Sequence, residues 1–242
     1  MKIIKIGGSL ITDKNEYRKF EKEKAIKIIE IISKEQFILV HGGGSFGHIA
    51  SKKYGLPGKL SKEAIFGACV VKNDMTLLNN HVISLMTKMG IPAMGFSPFN
   101  LWNGERFDYS PVIRAYEQGI VPVLFGDAFI DHEFVKIESG DDIMVDLSDI
   151  FKPESAIFLS DVDGVFDDDP KINKDAKLIR KFNGETIKFQ GVKNDVTGGM
   201  LKKFDSMLKC RQMGVKTYLI NGKYPERIMD IESGEFIGTE FI

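Results

Sequence analysis

An apolar run, Phe37-Ile38-Leu39-Val40, opens directly into His41-Gly42-Gly43-Gly44-Ser45-Phe46-Gly47-His48. Few folds accept this junction. A strand without polar alternation is one covered on both faces, as in a parallel sheet. The glycines that follow carry no bulk, so their backbone N–H groups can approach a ligand closely. If a helix starts there, its N-terminus adds a positive dipole end, and the pair makes an anion site. A turn with only a packing role is the competing reading of the stretch taken alone. Two known motifs fit it in part. Gly42-x-Gly44-x-x-Gly47 spells the dinucleotide fingerprint, but that motif needs a second strand ending in an acidic residue about 20 positions on, and residues 61–89 read as helix. The glycine spacing is also that of a Walker A loop, yet His48-Ile49 stands where Lys-Ser/Thr is required.

The rest of the chain repeats the pattern. Lys2 to Ile6 reads as a strand closed by Gly7-Gly8-Ser9. Ala25, Ile28, Ile29 and Ile32 share one face of a helix over 21–35. Apolar residues recur at the helical period from Ser61 to Met89, with Gly90 as the C′ residue. Strands follow at 91–96 and 120–125, the second ending in Gly126-Asp127, with a helix from Ser110-Pro111 to Gln118 between them. Residues 128–130 and 134–137 read as a hairpin. Ser139-Gly140-Asp141-Asp142 precedes a helix to about 151. The strand Ser155 to Leu159 runs into Ser160-Asp161-Val162-Asp163-Gly164. Residues 171–196 are loop-rich, with a short strand near Leu178. Thr197-Gly198-Gly199-Met200 opens a helix to Met213. A strand over 216–220, a short helix from Pro225 and a terminal strand at 237–241 complete the order. Strands alternating with helices predict an α/β fold with a mainly parallel sheet. Ligands of such sheets sit at the carboxyl ends of the strands, so these loops should line one crevice.

Bulk properties narrow the function. The 242 residues are enough for one large domain or two closely joined halves. With 33 basic and 34 acidic residues the net charge is −1, so no basic excess points to nucleic acid or a membrane surface. Cys69 and Cys210 match no metal or redox spacing, which favours a reduced, cytoplasmic setting. No segment approaches the roughly 18 uncharged apolar residues of a membrane span.

Taken together, Lys5-Ile-Gly-Gly-Ser9, His41-Gly-Gly-Gly44, Ser160-Asp-Val-Asp-Gly164 and Thr197-Gly-Gly-Met200 with Lys203 resemble the amino-acid-kinase superfamily. Lys14, Gly44-Ser-Phe-Gly-His48, Ser139-Gly-Asp-Asp142 and Asn194-Asp-Val-Thr-Gly-Gly199 resemble, within it, the group of isopentenyl phosphate kinases. The resemblance implies a three-layer α/β sandwich with an open, mainly parallel sheet. It also implies a single domain over 1–242, with the acceptor held roughly by 1–150 and ATP by 151–242. The implied reaction is phosphorylation of isopentenyl phosphate by ATP with Mg²⁺, in an archaeal-type mevalonate route. A fosfomycin-type or other small phosphate or phosphonate kinase is the near alternative. A non-catalytic nucleotide-binding protein of the same fold is the further one.

By resemblance, Lys5 contacts the transferring group, Gly7, Gly8 and Ser9 bind ATP phosphates through backbone amides, and Lys14 is the transition-state lysine. Gly43 cradles the acceptor phosphate and Gly44 those of ATP. His48 donates a hydrogen bond to the acceptor, as a neutral ring or an imidazolium. Gly126 meets the acceptor through its backbone. Asp161 orients Lys5 and Lys203, and Gly199 opens a helix aimed at the phosphates. Lys203 is the second catalytic lysine, with Lys202 in its place if the register slips. Each of these lysines and carboxylates taken alone reads equally as a solvated side chain. His41 shapes its loop, and His81 and His132 read as core or surface residues. Asp167 to Asp169 read as an acidic turn before Pro170. Mg²⁺ arrives bound to ATP, with no metal site of the protein's own. Part of the set Phe66, Val70, Met75, Val82 and Met86 is expected to line the prenyl pocket. A homodimer is the assembly the resemblance implies. The chemistry agrees: phosphoryl transfer needs positioning and charge neutralisation, which lysines and amides supply without a covalent nucleophile.

Overall fold

The computed structural model describes residues 1–34, 36–168, 170, 172–184 and 198–242. Its main sheet is built from β1 (Lys2–Ile6), β2 (Phe37–His41), β3 (Ala93–Phe96), β4 (Val121–Phe125), β5 (Ser155–Ser160), β6 (Lys181–Phe182), β7 (Lys216–Asn221) and β8 (Gly238–Phe241), in the order β6-β8-β7-β5-β1-β2-β4-β3. Strands β7, β5, β1, β2, β4 and β3 pair in parallel, and β8 joins β7 antiparallel. β1 and β2 lie at the centre, and both are buried along their whole length. That explains their unbroken apolar sequences.

Alternation along β1 divides the core. Ile4 and Ile6 face a layer formed by α2 (Lys22–Ile32), α3 (Gly44–Lys53) and α4 (Lys62–Lys88). Ile3 faces the opposite layer of helix Ser110–Glu117, α5 (Gly140–Phe151) and α6 (Gly198–Gln212). Lys5 shares the side of Ile3, because side chains two apart on a strand share a face. The three-layer α/β architecture expected from sequence is therefore the observed one. The expected hairpin is also present, as Asp127–Asp131 paired with Phe134–Glu138.

Local chemistry sets the helix ends. Ser61 accepts from Ala64 N at 3.1 Å to start α4. At its other end Gly90, with φ 78°, donates to Thr87 O, and Ile91 donates to Met86 O, a Schellman closure. Ser139 and Asp142 form a capping box at the start of α5. Some details differ from expectation. Gly8–Ile11 is a helical turn (α1) rather than plain loop, and Pro98–Leu101 adds another short helix. Between that helix and the one from Ser110, Trp102 and Phe107 form an isolated bridge. The segment from Pro225 is a 3₁₀ helix. The Asn194-to-Thr197 part of the last motif and Asp169 lie outside the described residues.

The loops after β1 and β2 meet backbone to backbone. A Cβ on Gly8 would fall 2.1 Å from Gly44 N and 2.7 Å from Gly44 Cα. Gly44 itself has φ 48°, a conformation that favours glycine. Thr12 ties the two loops, its hydroxyl donating to Gly8 O (2.9 Å) and accepting from Ser45 N (3.1 Å). Gly8→Ala should cost roughly 1–3 kcal/mol by forcing main-chain atoms apart. Urea unfolding of the purified variant against the parent measures it.

Candidate active site

Helices α1, α3, α5 and α6 all begin on glycine, at Gly8, Gly44, Gly140 and Gly198. Gly8, Gly44 and Gly140 line a cleft of about 980 Å³ beyond the carboxyl ends of β1 and β2. Five lysines line it as well, Lys5, Lys14, Lys52, Lys202 and Lys203, against two aspartates, Asp127 and Asp141. Helix N-termini and this excess of cations select a polyanionic ligand.

The lysines are individually placed. Lys5 emerges from β1 with its side chain only 7% exposed, and its Nζ lies 2.6 Å from Asp141 Oδ1. Burial lowers its pKa, Asp141 works against that, and nearby Lys203 lowers it further. Gly140 lets the lysine pass: a Cβ there would sit 3.0 Å from Lys5 Cε. Lys14 reaches Asp161 Oδ2 at 2.5 Å. Burial raises the Asp161 pKa, but Lys14 outweighs it and holds the carboxyl below its ordinary range. Lys202 bonds Asp142 Oδ2 at 2.6 Å, on the carboxylate that also caps α5. Among the described residues Lys203 pairs with no carboxylate, yet its charge is felt by both Lys5 and His48. Of the two neighbouring lysines, Lys203 is thus the one free to meet an anion.

The resemblance pairs Lys5 with Asp161, but the carboxylate beside Lys5 is Asp141, at the N-terminus of α5. Asp161 partners Lys14 instead and feels Lys203 only through space. Asp141 was visible in the Ser139-Gly-Asp-Asp142 motif, but its role depends on β1 and α5 being neighbours, which no local pattern announces.

His48 lies in the first half of α3 with its ring open to the cleft. Desolvation by the cleft walls lowers its pKa, with Lys5 and Lys203 adding to the effect. Both effects disfavour the imidazolium. Gly7, Ser9, Gly43 and Gly126 also line the cleft, and Gly199 lies in the first turn of α6. His41 is buried, bonds Asn79 at 3.2 Å and stacks on Phe125, its pKa pushed down to about 4 by burial. His81 stacks on Phe20, and His132 is exposed.

Apolar side chains also line the cleft: Leu56, Pro57, Val71, Met75 and Ile137. Of the five residues expected there only Met75 takes part. Val82 and Met86 are buried in the core, Phe66 is exposed, and Val71 stands in place of Val70. Beside the cleft Glu138 is desolvated between Asp142 and Asp146, and its pKa is pushed up to about 8.

The chain belongs to the amino acid kinase family, whose family model matches residues 1–221. It is 46% identical to the isopentenyl phosphate kinase of Thermoplasma acidophilum over 99% of both chains. Identity to the isopentenyl phosphate kinase of Methanocaldococcus jannaschii is 34%, over 98% of this chain and 97% of the relative. A crystal structure of the T. acidophilum isopentenyl phosphate kinase product complex superposes with a TM-score of 0.90 at 42% identity, covering 100% of each chain.

Glu138 gives a stability test. Its folded pKa of about 8 lies above the unfolded value of 4.5, so the folded state holds the extra proton between them. Stability therefore falls as pH rises through this window. Glu138→Gln should raise stability by on the order of 1–2 kcal/mol at pH 8.5 and change it little at pH 4. Thermal unfolding at the two pH values measures the difference.

Proposed function

We propose that this chain transfers the γ-phosphoryl group of ATP to isopentenyl phosphate, giving isopentenyl diphosphate and ADP for isoprenoid synthesis in the cytoplasm. The observation that carries the reading is the mixed lining of the cleft. It offers Lys5, Lys203, His48 and glycine amides to phosphates, and Val71, Met75 and Ile137 to a short hydrocarbon. The acceptor named for the relatives at 46% and 34% identity supports the same substrate.

The acceptor's terminal phosphate oxygen attacks the γ-phosphorus, a P–O bond forms, and the bond to the β,γ-bridging oxygen breaks. ADP leaves with that electron pair. An acceptor phosphate with a second pKa near 6 is already ionised at neutral pH, so no general base is required. Catalysis is then positioning plus neutralisation of charge on the transferred oxygens. Lys5 and Lys203 meet that charge, Lys14 approaches it from the loop, and Asp141 aims Lys5. Backbone amides at Gly7, Gly8, Ser9, Gly44 and Gly199 receive ATP phosphates. Gly43, Gly126 and His48 receive the acceptor, and Asp161 holds Lys14 in register. The residues assigned to the acceptor all precede 150, whereas those assigned to ATP fall on both sides of it, so ATP would reach from the 7–9 and 44 loops toward 151–242.

Mg²⁺ accompanies the nucleotide in this reading. The cleft carboxylates Asp127 and Asp141 are engaged by lysines, and Asp161 pairs with Lys14. Among the described residues no group of three His, Cys, Asp or Glu is placed to hold a metal ion. Phosphates and water would supply the magnesium ligands in this reading, and no step is assigned to the ion. Among the described residues no helix is long and apolar enough to cross a membrane. A homodimer completes the proposal; the edge strand β3, with Met94 exposed, leaves surface for it.

An ADP-coupled assay with isopentenyl phosphate, dimethylallyl phosphate and fosfomycin in parallel tests the function. Turnover of isopentenyl phosphate is expected; turnover of fosfomycin alone would assign the smaller acceptor, and no turnover of any would leave a binding protein. The two lysines separate in the same assay. Lys203→Ala should lower kcat by about 10²–10³, the loss typical of one preorganised charge. Lys202→Ala, which removes a partner of Asp142, should cost less than about tenfold.

A further inference from the structure

Lys14 is the one lysine of the cleft that no helix or strand carries. Its segment leaves α1, turns back, and closes through a bridge between Thr12 and Phe20, with Asp13 N donating to Lys19 O at 3.0 Å. The Lys14 side chain is 63% exposed, so its own surroundings do little to fix it. The loop is fixed from its other limb. Tyr17 donates its hydroxyl hydrogen to Asp74 Oδ2, and the Arg18 guanidinium forms an ion pair with Asp74 Oδ1. Asp74 lies in the middle of α4 and is fully buried. Both its oxygens are thus taken by consecutive residues of the lysine loop. Arg18 stacks on the Tyr17 ring and has φ 59°, a left-handed conformation that a non-glycine residue keeps only when its surroundings impose it.

A buried carboxylate contributes little to a core that an apolar side chain of similar shape would fill as well. Its position explains it better. The next residue, Met75, lies under the glycine loop, its Sδ 3.0 Å from where a Cβ of Gly43 or Gly47 would stand. One turn of α4 therefore sets the floor of the cleft and the loop above it. Phosphoryl transfer is sensitive to such placement, because a displacement of about 1 Å in a positioned group costs about 10²-fold in rate.

We propose that Asp74 is a positioning residue for phosphoryl transfer, latching the 12–20 loop through Tyr17 and Arg18 so that Lys14 stands over the cleft. The proposal rests on the assignment of Lys14 to the transferring group. Steady-state kinetics with ATP and isopentenyl phosphate test it in two backgrounds. In the parent, Asp74→Asn and the double variant Tyr17→Phe/Arg18→Asn should lower kcat ten- to a hundredfold, with both KM values within threefold. Asparagine tolerates the left-handed backbone at position 18. Because the double variant leaves the buried Asp74 carboxylate unpaired, the triple variant Tyr17→Phe/Arg18→Asn/Asp74→Asn, which removes that charge as well, should show the same loss of kcat and keeps the test open if either of the others fails to fold. In a Lys14→Ala background the same changes should lower kcat less than threefold further, because residues acting through one group are not additive. Equal losses in both backgrounds would mark Asp74 as a general structural residue and overturn the proposal, as would an unchanged kcat with Lys14 present. A parental kcat in Lys14→Ala alone would instead overturn the assignment of Lys14, and the latch with it.

Discussion

The cleft exists because two backbones touch. Gly8 and Gly44 approach so closely that no side chain fits between them, and Thr12 bonds both loops across the contact. β1 and β2 are adjacent parallel strands, so their loops would ordinarily be separated by side chains. Removing those side chains brings the first turns of α1 and α3 to one point. The unpaired N–H groups of both turns then face the same space. A phosphate bound there meets two helix ends rather than one.

Charge is arranged around that contact with attention to burial. Lys5 is the deepest cation of the cleft, and a buried ammonium is costly unless paired. Asp141 provides the pair from the opposite helical layer. Lys14 and Lys202 are more exposed and rest on Asp161 and Asp142. Exposed pairs of this kind contribute little to stability, so an anion can displace their carboxylates at small cost. Lys203, without such a partner among the described residues, needs no displacement. The site is therefore graded, from a buried pair at Lys5 through half-exposed pairs to a cation with no carboxylate partner among the described residues.

What the sequence made legible follows the range of the physics. Glycines after apolar strands, the capping pair Ser139 and Asp142, and the stripe Ala25, Ile28, Ile29 and Ile32 are local signals, and each forms as its pattern requires. The convergence of the 7–9, 41–48 and 126–127 loops on one crevice was also legible, because parallel sheets place their carboxyl ends together; Ser160-Asp161, expected with them, is not among the lining residues and is tied to the site through the Lys14 pair. Pairings between layers were not. Asp141 and Asp161 both stand within two residues after a serine, and only the register of β1 against β5 and the seat of α5 over β1 decide which one faces Lys5. The apolar lining was legible only in part, through Met75, for a related reason. In α4 a shift of one residue rotates a side chain by about 100°, enough to exchange Val70 for Val71 and to send Val82 and Met86 into the core.

Helix α4 shows how these parts depend on one another. Its apolar stripe alone would seat it on the sheet. Yet its inward side also carries Asp74 and Asn79, both buried, and the half-buried Lys72. Each spans to a different piece of the acceptor end. Lys72 bonds Asp127 beside Gly126, Asp74 holds the lysine loop, and Asn79 bonds His41 at the start of the glycine loop. Between them Val71 and Met75 line the cleft. Polar groups so placed are costly to desolvate and are retained where a network satisfies them. A single rigid rod bearing all five contacts keeps the glycine floor, the tail pocket and Lys14 at fixed separations. Loops alone, each mobile at its tip, would not hold three such pieces in register for one in-line transfer.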